Sequence, residues 1–440
     1  MKRHLRWAPF YASLLVLGTV ILQAAKTDGW NILTGQNAWS DSAKLVPGQA
    51  RRISPKDLPP PGSGTPGKQK QVPRPAGAMP KAPAGFSVNI YAETGANAPR
   101  QIRVAPNNDV FVVNQQQGSI TVFRGMTADG KPMQSETFAT GLSTPFGINF
   151  YPAGPNPQWV YVGNINSVVR FPYRNGDLKA RGAAAKVIES LPAGGHPTRD
   201  IVFSPDGKSM YVAVGSASNI DDPDTHPTEF HRAAILEYTP EGKFVGIYAS
   251  GIRNPVGLAI HPTTGDLWTS INERDNLGDN LVPDYVTSVK KGGFYGWPYF
   301  YIGGNPDARL MGAHPELKDK VIVPDVLVQP HSASVGMAFY TGSQFPAEYK
   351  NDAFAAEHGS WNRSIKAGHE VIRIPLDNGK ASGVYQDFLT GFIAPDGNPW
   401  GRPSGVTTAP DGSLLVTDDG VNIIWRVAYT GAANGKNKGK

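Results

Sequence analysis

Residues able to move a proton or hold an anion stand at one recurring place in this sequence. His196 precedes Pro-Thr-Arg-Asp-Ile-Val-Phe, Arg253-Asn254 precedes Pro-Val-Gly-Leu-Ala-Ile, and Arg402 precedes Pro-Ser-Gly-Val-Thr-Thr. A neutral histidine can take the proton of a hydroxyl near pH 7. Arg253 and Arg402 offer fixed forks for carboxylates or for a developing oxyanion. Taken singly, a histidine before proline is an ordinary loop hydrogen-bonder, and an Arg-Asn pair an ordinary capping pair. Their shared position in a repeated phrase is what makes them candidates. No Ser/His/Asp order or phosphate-binding glycine loop competes with them, and Gly359-Ser360-Trp361 lacks the pattern of a nucleophile elbow.

Two further stretches carry polar chemistry. Asn272-Glu-Arg-Asp-Asn-Leu-Gly-Asp279, with Asp284 beyond it, clusters carboxylates and carbonyls in a way that suits a hard cation such as calcium, without EF-hand spacing. Asp221-Asp222-Pro-Asp224 is a lesser version of the same composition. Tyr295-Gly-Trp297-Pro-Tyr299 reads either as core or as a stacking wall for a planar ligand.

The elements that must position these residues follow from an internal repeat. The phrase occurs at Pro99, Pro145, His196, Pro255, Ser334 and Pro403, and most copies pass through a turn such as Asp206-Gly207 or Asp411-Gly412 into a second apolar strand. Copies about 46 to 79 residues apart match one four-stranded blade each. The expectation is an all-β fold, a six-bladed β-propeller of antiparallel blades over residues 85–430, with a β-sandwich as the alternative. The long intervals of blades four and five must hold insertions. The residues just before each copy, Ala98, Thr144, His196, Asn254, Ala333 and Arg402, should then form a ring at the mouth of the central channel.

Composition agrees. Of 440 residues, 50 are Gly and 39 Pro, too many for a helical protein, and there is no Cys, which excludes disulfides and thiolate chemistry. The net charge of +6 comes from the ends, since residues 1–84 hold twelve Lys/Arg against three Asp. The body is net acidic and carries no basic stripe, which argues against nucleic acid. Residues 1–25 read as a signal peptide or an N-terminal membrane anchor, which implies a periplasmic, exported body. Residues 26–84 read as a Pro-rich disordered tether and 431–440 as a basic flexible tail.

Arg253-Asn-Pro-Val-Gly257, Gly292-Gly-Phe-Tyr-Gly-Trp-Pro298 and Thr417-Asp-Asp-Gly420 with Trp425-Arg-Val427 resemble the soluble pyrroloquinoline quinone-dependent sugar dehydrogenases, the glucose/sorbosone dehydrogenase family. Asn272–Asp275 and Glu357-His-Gly-Ser-Trp-Asn-Arg363 are similar to its sorbosone dehydrogenase-like branch. The resemblance implies a six-bladed propeller that oxidises an aldose or keto-aldehyde sugar with bound pyrroloquinoline quinone and Ca2+. By the same resemblance, His196 is the base for the substrate hydroxyl as hydride passes to the quinone, Arg253 flanks the reacting carbonyl, and Asn254 contacts the cofactor. Arg402 holds a quinone carboxylate. The second such arginine of the family falls on Ser404, so that contact is shared, with Arg363 or Lys366 supplying a lysine-like partner. The carbonyls of Arg274 and Asp275, with Asp279 near, match the calcium ligands. Gly195 replaces the acidic residue before the base in the glucose enzymes. Electrons would leave to a cytochrome c or a membrane quinone, with the tether keeping the body near a membrane. The rival readings are a propeller lactonase, which needs a metal held by Glu, Asn and Asp, and a non-catalytic propeller that binds a protein partner.

Overall fold

The structure, a computed structural model, describes residues 26–62 and 70–431. Six sheets, each built on a four-stranded antiparallel unit, form the blades of a propeller. Their innermost strands are the six repeated phrases: Pro99–Val104, Gly147–Tyr151, Ile201–Phe203, Pro255–Ile260, Ser334–Phe339 and Pro403–Thr408. The turn chemistry explains the regularity. Gly207, for example, sits at φ 68°, a conformation open to glycine at no steric cost, and hands the chain to Met210–Val214.

The second strands, among them Val110–Asn114, Met210–Val214 and Leu414–Asp418, are buried at every residue because neighbouring blades cover both faces. Between blades lie large aromatics: Trp268, Trp400 and Trp425 are each at most 1% exposed. A buried aromatic removes about 150–250 Å² from water, which at ~25 cal/mol per Å² is about 4–6 kcal/mol each. That exceeds any surface ion pair, worth ~0–1 kcal/mol. Packing between blades, rather than the many exposed charge pairs, holds the ring together.

The ring closes through its ends. Phe86–Glu93 is the outer strand of the sixth blade, antiparallel to Ile423–Tyr429 with Phe86 opposite Tyr429 and Ile90 opposite Trp425. Closure leaves no gap between first and last blade and ties the chain termini of the domain to one sheet. Blades four and five carry the expected excursions, 272–284 and 289–325 in one and 358–369 in the other.

Residues 26–62 and 70–84 differ from the expected disordered tether. Ala50–Arg52 pairs antiparallel with Val384–Leu389 at the edge of blade five, and Ile32–Leu33 extends that sheet. Arg51 is buried and forks onto Asp387 (2.8 and 2.9 Å), while Ala38, Ala50 and Ile53 are at most 3% exposed. Further along, Lys81 exchanges two backbone bonds with Thr390. Prolines remove donors, but an extended chain needs few when it lies along an edge that supplies them. The expected leader, residues 1–25, and residues 432–440 of the tail lie outside the described residues. Among the described residues no helix is long and apolar enough to cross a membrane.

Candidate active site

At the mouth of the channel, where the innermost strands begin, lies a cavity of about 490 Å³. His196, Asn254, Ala333 and Arg402 of the expected ring line it, together with Arg253 and Asp275. Ala98 and Thr144 are not among its lining residues; Arg100, two residues further along in the first strand of blade one, is.

His196 is held from its own loop. Its backbone N–H and its ring Nδ1 both meet the Ser216 carbonyl, at 3.1 and 2.8 Å. A carbonyl only accepts, so Nδ1 carries the hydrogen and Nε2 is left with its lone pair; Nε2 makes no hydrogen bond among the described residues. Burial, and then the Arg253 guanidinium, push the imidazolium down to about 4, so the ring is neutral near pH 7. Gly195 explains the missing acidic neighbour. It sits at φ 58°, and a Cβ there would lie 2.4 Å from Cα of Ala217. The backbone of Ser216 orients the histidine in place of a side-chain carboxylate.

Arg253 is buried and fanned across the blade-four excursion. It donates to the Glu273 carbonyl (2.6 Å), to Asn219 Oδ1 (3.0 Å) and to Asp275 Oδ2 (3.3 Å). Asp275 also accepts from Asn362 Nδ2 (2.6 Å) and faces His331 Nδ1 (3.3 Å). Burial opposes its ionisation, but the His331 hydrogen bond and Arg253 outweigh it and hold the carboxyl below its ordinary range.

The opposite wall pairs Arg402 with residues that the sequence did not mark. Arg402 Nη2 donates to His358 Nδ1 (2.8 Å), which leaves His358 Nε2–H to donate to Asp419 Oδ1 (2.8 Å). Arg100 Nη1 lies 2.6 Å from Asp419 Oδ2. Burial first, opposed by Asp419 and reinforced by Arg402 and Arg100, pushes His358 down to about 4. Three guanidinium groups, Arg100, Arg253 and Arg402, thus face one cavity. Two signals pointed this way: His358 lies inside the Glu357–Arg363 motif and Asp419 inside Thr417–Gly420. Arg100 carried none beyond its place in the first copy.

The remaining sequence candidates sit elsewhere. Ser404 is fully buried and its hydroxyl has no partner among the described residues. Arg363 is buried against the Asp279 carbonyl (2.9 Å) and Asn280 Oδ1 (2.7 Å), and Asp279 accepts from Ser364 N (3.1 Å). Neither these residues nor Lys366 line the cavity. Arg274 turns its guanidinium onto Asp307 (2.7 Å), and the Asp275 carbonyl already accepts from Asn219 Nδ2 (3.0 Å) and Arg274 Nη1 (2.9 Å). Oxygen-bearing residues that do line the cavity include Glu273, Asp275, Asp284, Asn254 and Asn362, and the amide oxygens of Asn254 and Asn362 are buried with no hydrogen-bond partner among the described residues. Burial raises Glu273 to about 8 and Asp284 to about 7, so both carboxyls favour their neutral forms near pH 7. Asp222 and Asp224 meet His314 away from the cavity. Tyr295, Trp297 and Tyr299 are buried core, with Trp297 Nε1 donating to the Asn219 carbonyl (2.9 Å).

Chemically, the cavity offers one open base, three cationic forks and a nest of hard oxygen donors. That set suits a polyanion bound among the arginines. The chain is similar to several known proteins. An uncharacterized protein of Borreliella burgdorferi is 30% identical over 364 residues, covering 79% of this chain and 90% of its own. Aldose sugar dehydrogenase YliI of Escherichia coli is 27% identical over 254 residues, 53% of this chain and 59% of its own. The holo form of the pyranose dehydrogenase PQQ domain from Coprinopsis cinerea superposes with a TM-score of 0.68 at 20% identity, covering 83% of this chain and all of that one. The Glucose / Sorbosone dehydrogenase family model matches residues 96–426, and the chain belongs to that family of oxidoreductases.

Proposed function

We propose that this protein is a quinoprotein sugar dehydrogenase that oxidises an aldose or keto-aldehyde sugar, sorbosone- or glucose-like, with pyrroloquinoline quinone and Ca2+. The observation that carries the reading is His196: its Nδ1–H is fixed on the Ser216 carbonyl and its free Nε2 belongs to a cavity with three arginines. The named relatives support it, one as an aldose sugar dehydrogenase and one as a PQQ domain in holo form.

The residues present fit such a cofactor. Arg402, Arg100 and Arg253 match the negative charge of its three carboxylates, and Asn254 supplies a buried amide. A calcium ion would draw oxygen ligands from Asp275 and from the orphaned amide oxygens of Asn254 and Asn362, since the carboxyls of Glu273, Asp275 and Asp284 do not converge closely enough to hold one ion together. When bound, the quinone supplies a two-electron acceptor, and the cation a Lewis acid. The chain's own residues do the rest. His196 Nε2 accepts the hydroxyl proton of the substrate, and the Ser216 carbonyl, bonded to Nδ1–H, stabilises the resulting imidazolium. Arg253 keeps that imidazolium acidic, so the proton is passed on and the base resets. Asp275, clamped by Asn362 and His331, fixes Arg253 in place. An exported body would hand its electrons to a cytochrome c or a membrane quinone.

Reconstitution of the full chain with quinone and calcium, followed by dye reduction on a panel of sugars and aldehydes, tests the proposal. Cofactor-dependent reduction with at least one substrate is expected. Hydrolysis of lactones without quinone would favour a lactonase, and no signal of either kind would favour a binding module.

A further inference from the structure

Residues 38–62 lie outside the span matched by the family, yet they fasten the loops that support the cavity. Ser40 donates from N and Oγ to Gln329 Oε1 (3.1 and 3.0 Å), and Gln329 Nε2 donates back to the Ser40 carbonyl. Ser42 N donates to the Lys366 carbonyl (2.9 Å), and Gly62 N to the Leu277 carbonyl (3.0 Å). Arg363, 4% exposed, joins the three segments: it donates to the Asp279 carbonyl (2.9 Å), Asn280 Oδ1 (2.7 Å), the Ile365 carbonyl (2.6 Å) and the Ser40 carbonyl (3.5 Å). One layer inward, Asn362 holds Asp275 (2.6 Å), and His331 holds both Asp275 (3.3 Å) and the Gly278 carbonyl (3.0 Å).

Loops 275–281 and 359–366 are therefore joined on their inner side through Asp275, Asn362 and His331, and bonded on their outer side to the N-terminal arm. We infer that the arm is a positioning element of the active site, and that Arg363 is the positioning residue through which it keeps Asp275 against Arg253. These loops contain no regular strand or helix, so their geometry depends on such bonds. Each donor removed leaves a buried carbonyl unsatisfied, and the loop opens to recover water.

The test uses the full chain and two variants. Gln329→Leu keeps the volume and removes all three bonds to Ser40; Arg363→Lys keeps the charge and removes the fork. Amide hydrogen exchange is measured without cofactor, and quinone affinity by calorimetry in the presence of calcium. Both variants should exchange roughly tenfold faster or more at 275–281 and 359–366, with blades one and two unchanged, and bind quinone about ten- to a hundredfold more weakly. Faster exchange confined to 38–62, with loops and affinity as in the wild type, would overturn the inference. The affinity arm rests on the proposed function. If the wild type binds no quinone, that reading fails while the exchange data still decide this one. If Arg363→Lys does not fold, Gln329→Leu decides alone.

Discussion

Of the three histidines that line the cavity, His196 and His358 stand on opposite walls, and both resist protonation down to about 4. His196 has one nitrogen tied to a backbone carbonyl and the other open. His358 has Nδ1 taken by Arg402 and Nε2–H taken by Asp419. Their acidities are alike, so acidity cannot distinguish a base from a strut; the free lone pair does. One wall is built to move a proton and the other to hold an anion.

Breaking the first wall should cost most. His196→Gln keeps a hydrogen-bonding side chain without a proton-accepting nitrogen, and turnover should fall about 10²–10⁴-fold while quinone binding measured by calorimetry stays within a fewfold. Arg402→Gln removes a charged donor from the second wall. Quinone affinity should drop by about 1.5–3 kcal/mol, roughly ten- to a hundredfold, with a smaller change in turnover. His358→Gln removes a neutral contact, and a loss of about 1 kcal/mol in affinity, roughly fivefold, is expected from the same titration. Acid should then sharpen the contrast. Because the folded pKa of His196 lies below the ordinary 6.5, the neutral base persists as pH falls and is lost only through about 4, where kcat/KM should begin to drop tenfold per unit. The unfolded chain protonates both histidines already near 6.5. These two histidines hold fewer protons in the folded protein between about 6.5 and 4 and so take stability away as pH falls across that window, while the raised carboxyls of Glu273 and Asp284 act with the opposite sign. The loss of the histidine contribution in His358→Gln, read as a shallower fall of the thermal midpoint than in the wild type, isolates it.

The first wall was largely legible in the sequence, and of the second only Arg402 was. His196, Asn254 and Arg402 share a position in a repeat whose turns and strand alternation are local properties, so both the six blades and part of the ring could be read. Arg100 stands among ordinary strand residues, and its partner Asp419 lies 319 positions away, brought near by ring closure. Ser404 and Arg363 were assigned to the cofactor by position along a motif, but the strand turns Ser404 into the core and Arg363 is claimed by Asp279 and Asn280. The arm was misread because proline content reports what a segment cannot form alone. It does not report the sheet edge at Val384–Leu389, or Asp387 waiting for Arg51.

Selective 15N labelling of histidine, with both rings followed by NMR from pH 8 to pH 3.5, tests the central claim most directly. His196 should carry its hydrogen on Nδ1 and His358 on Nε2, and both should stay neutral to about pH 4. A His196 that carries its hydrogen on Nε2, or that titrates near its ordinary 6.5, would contradict it.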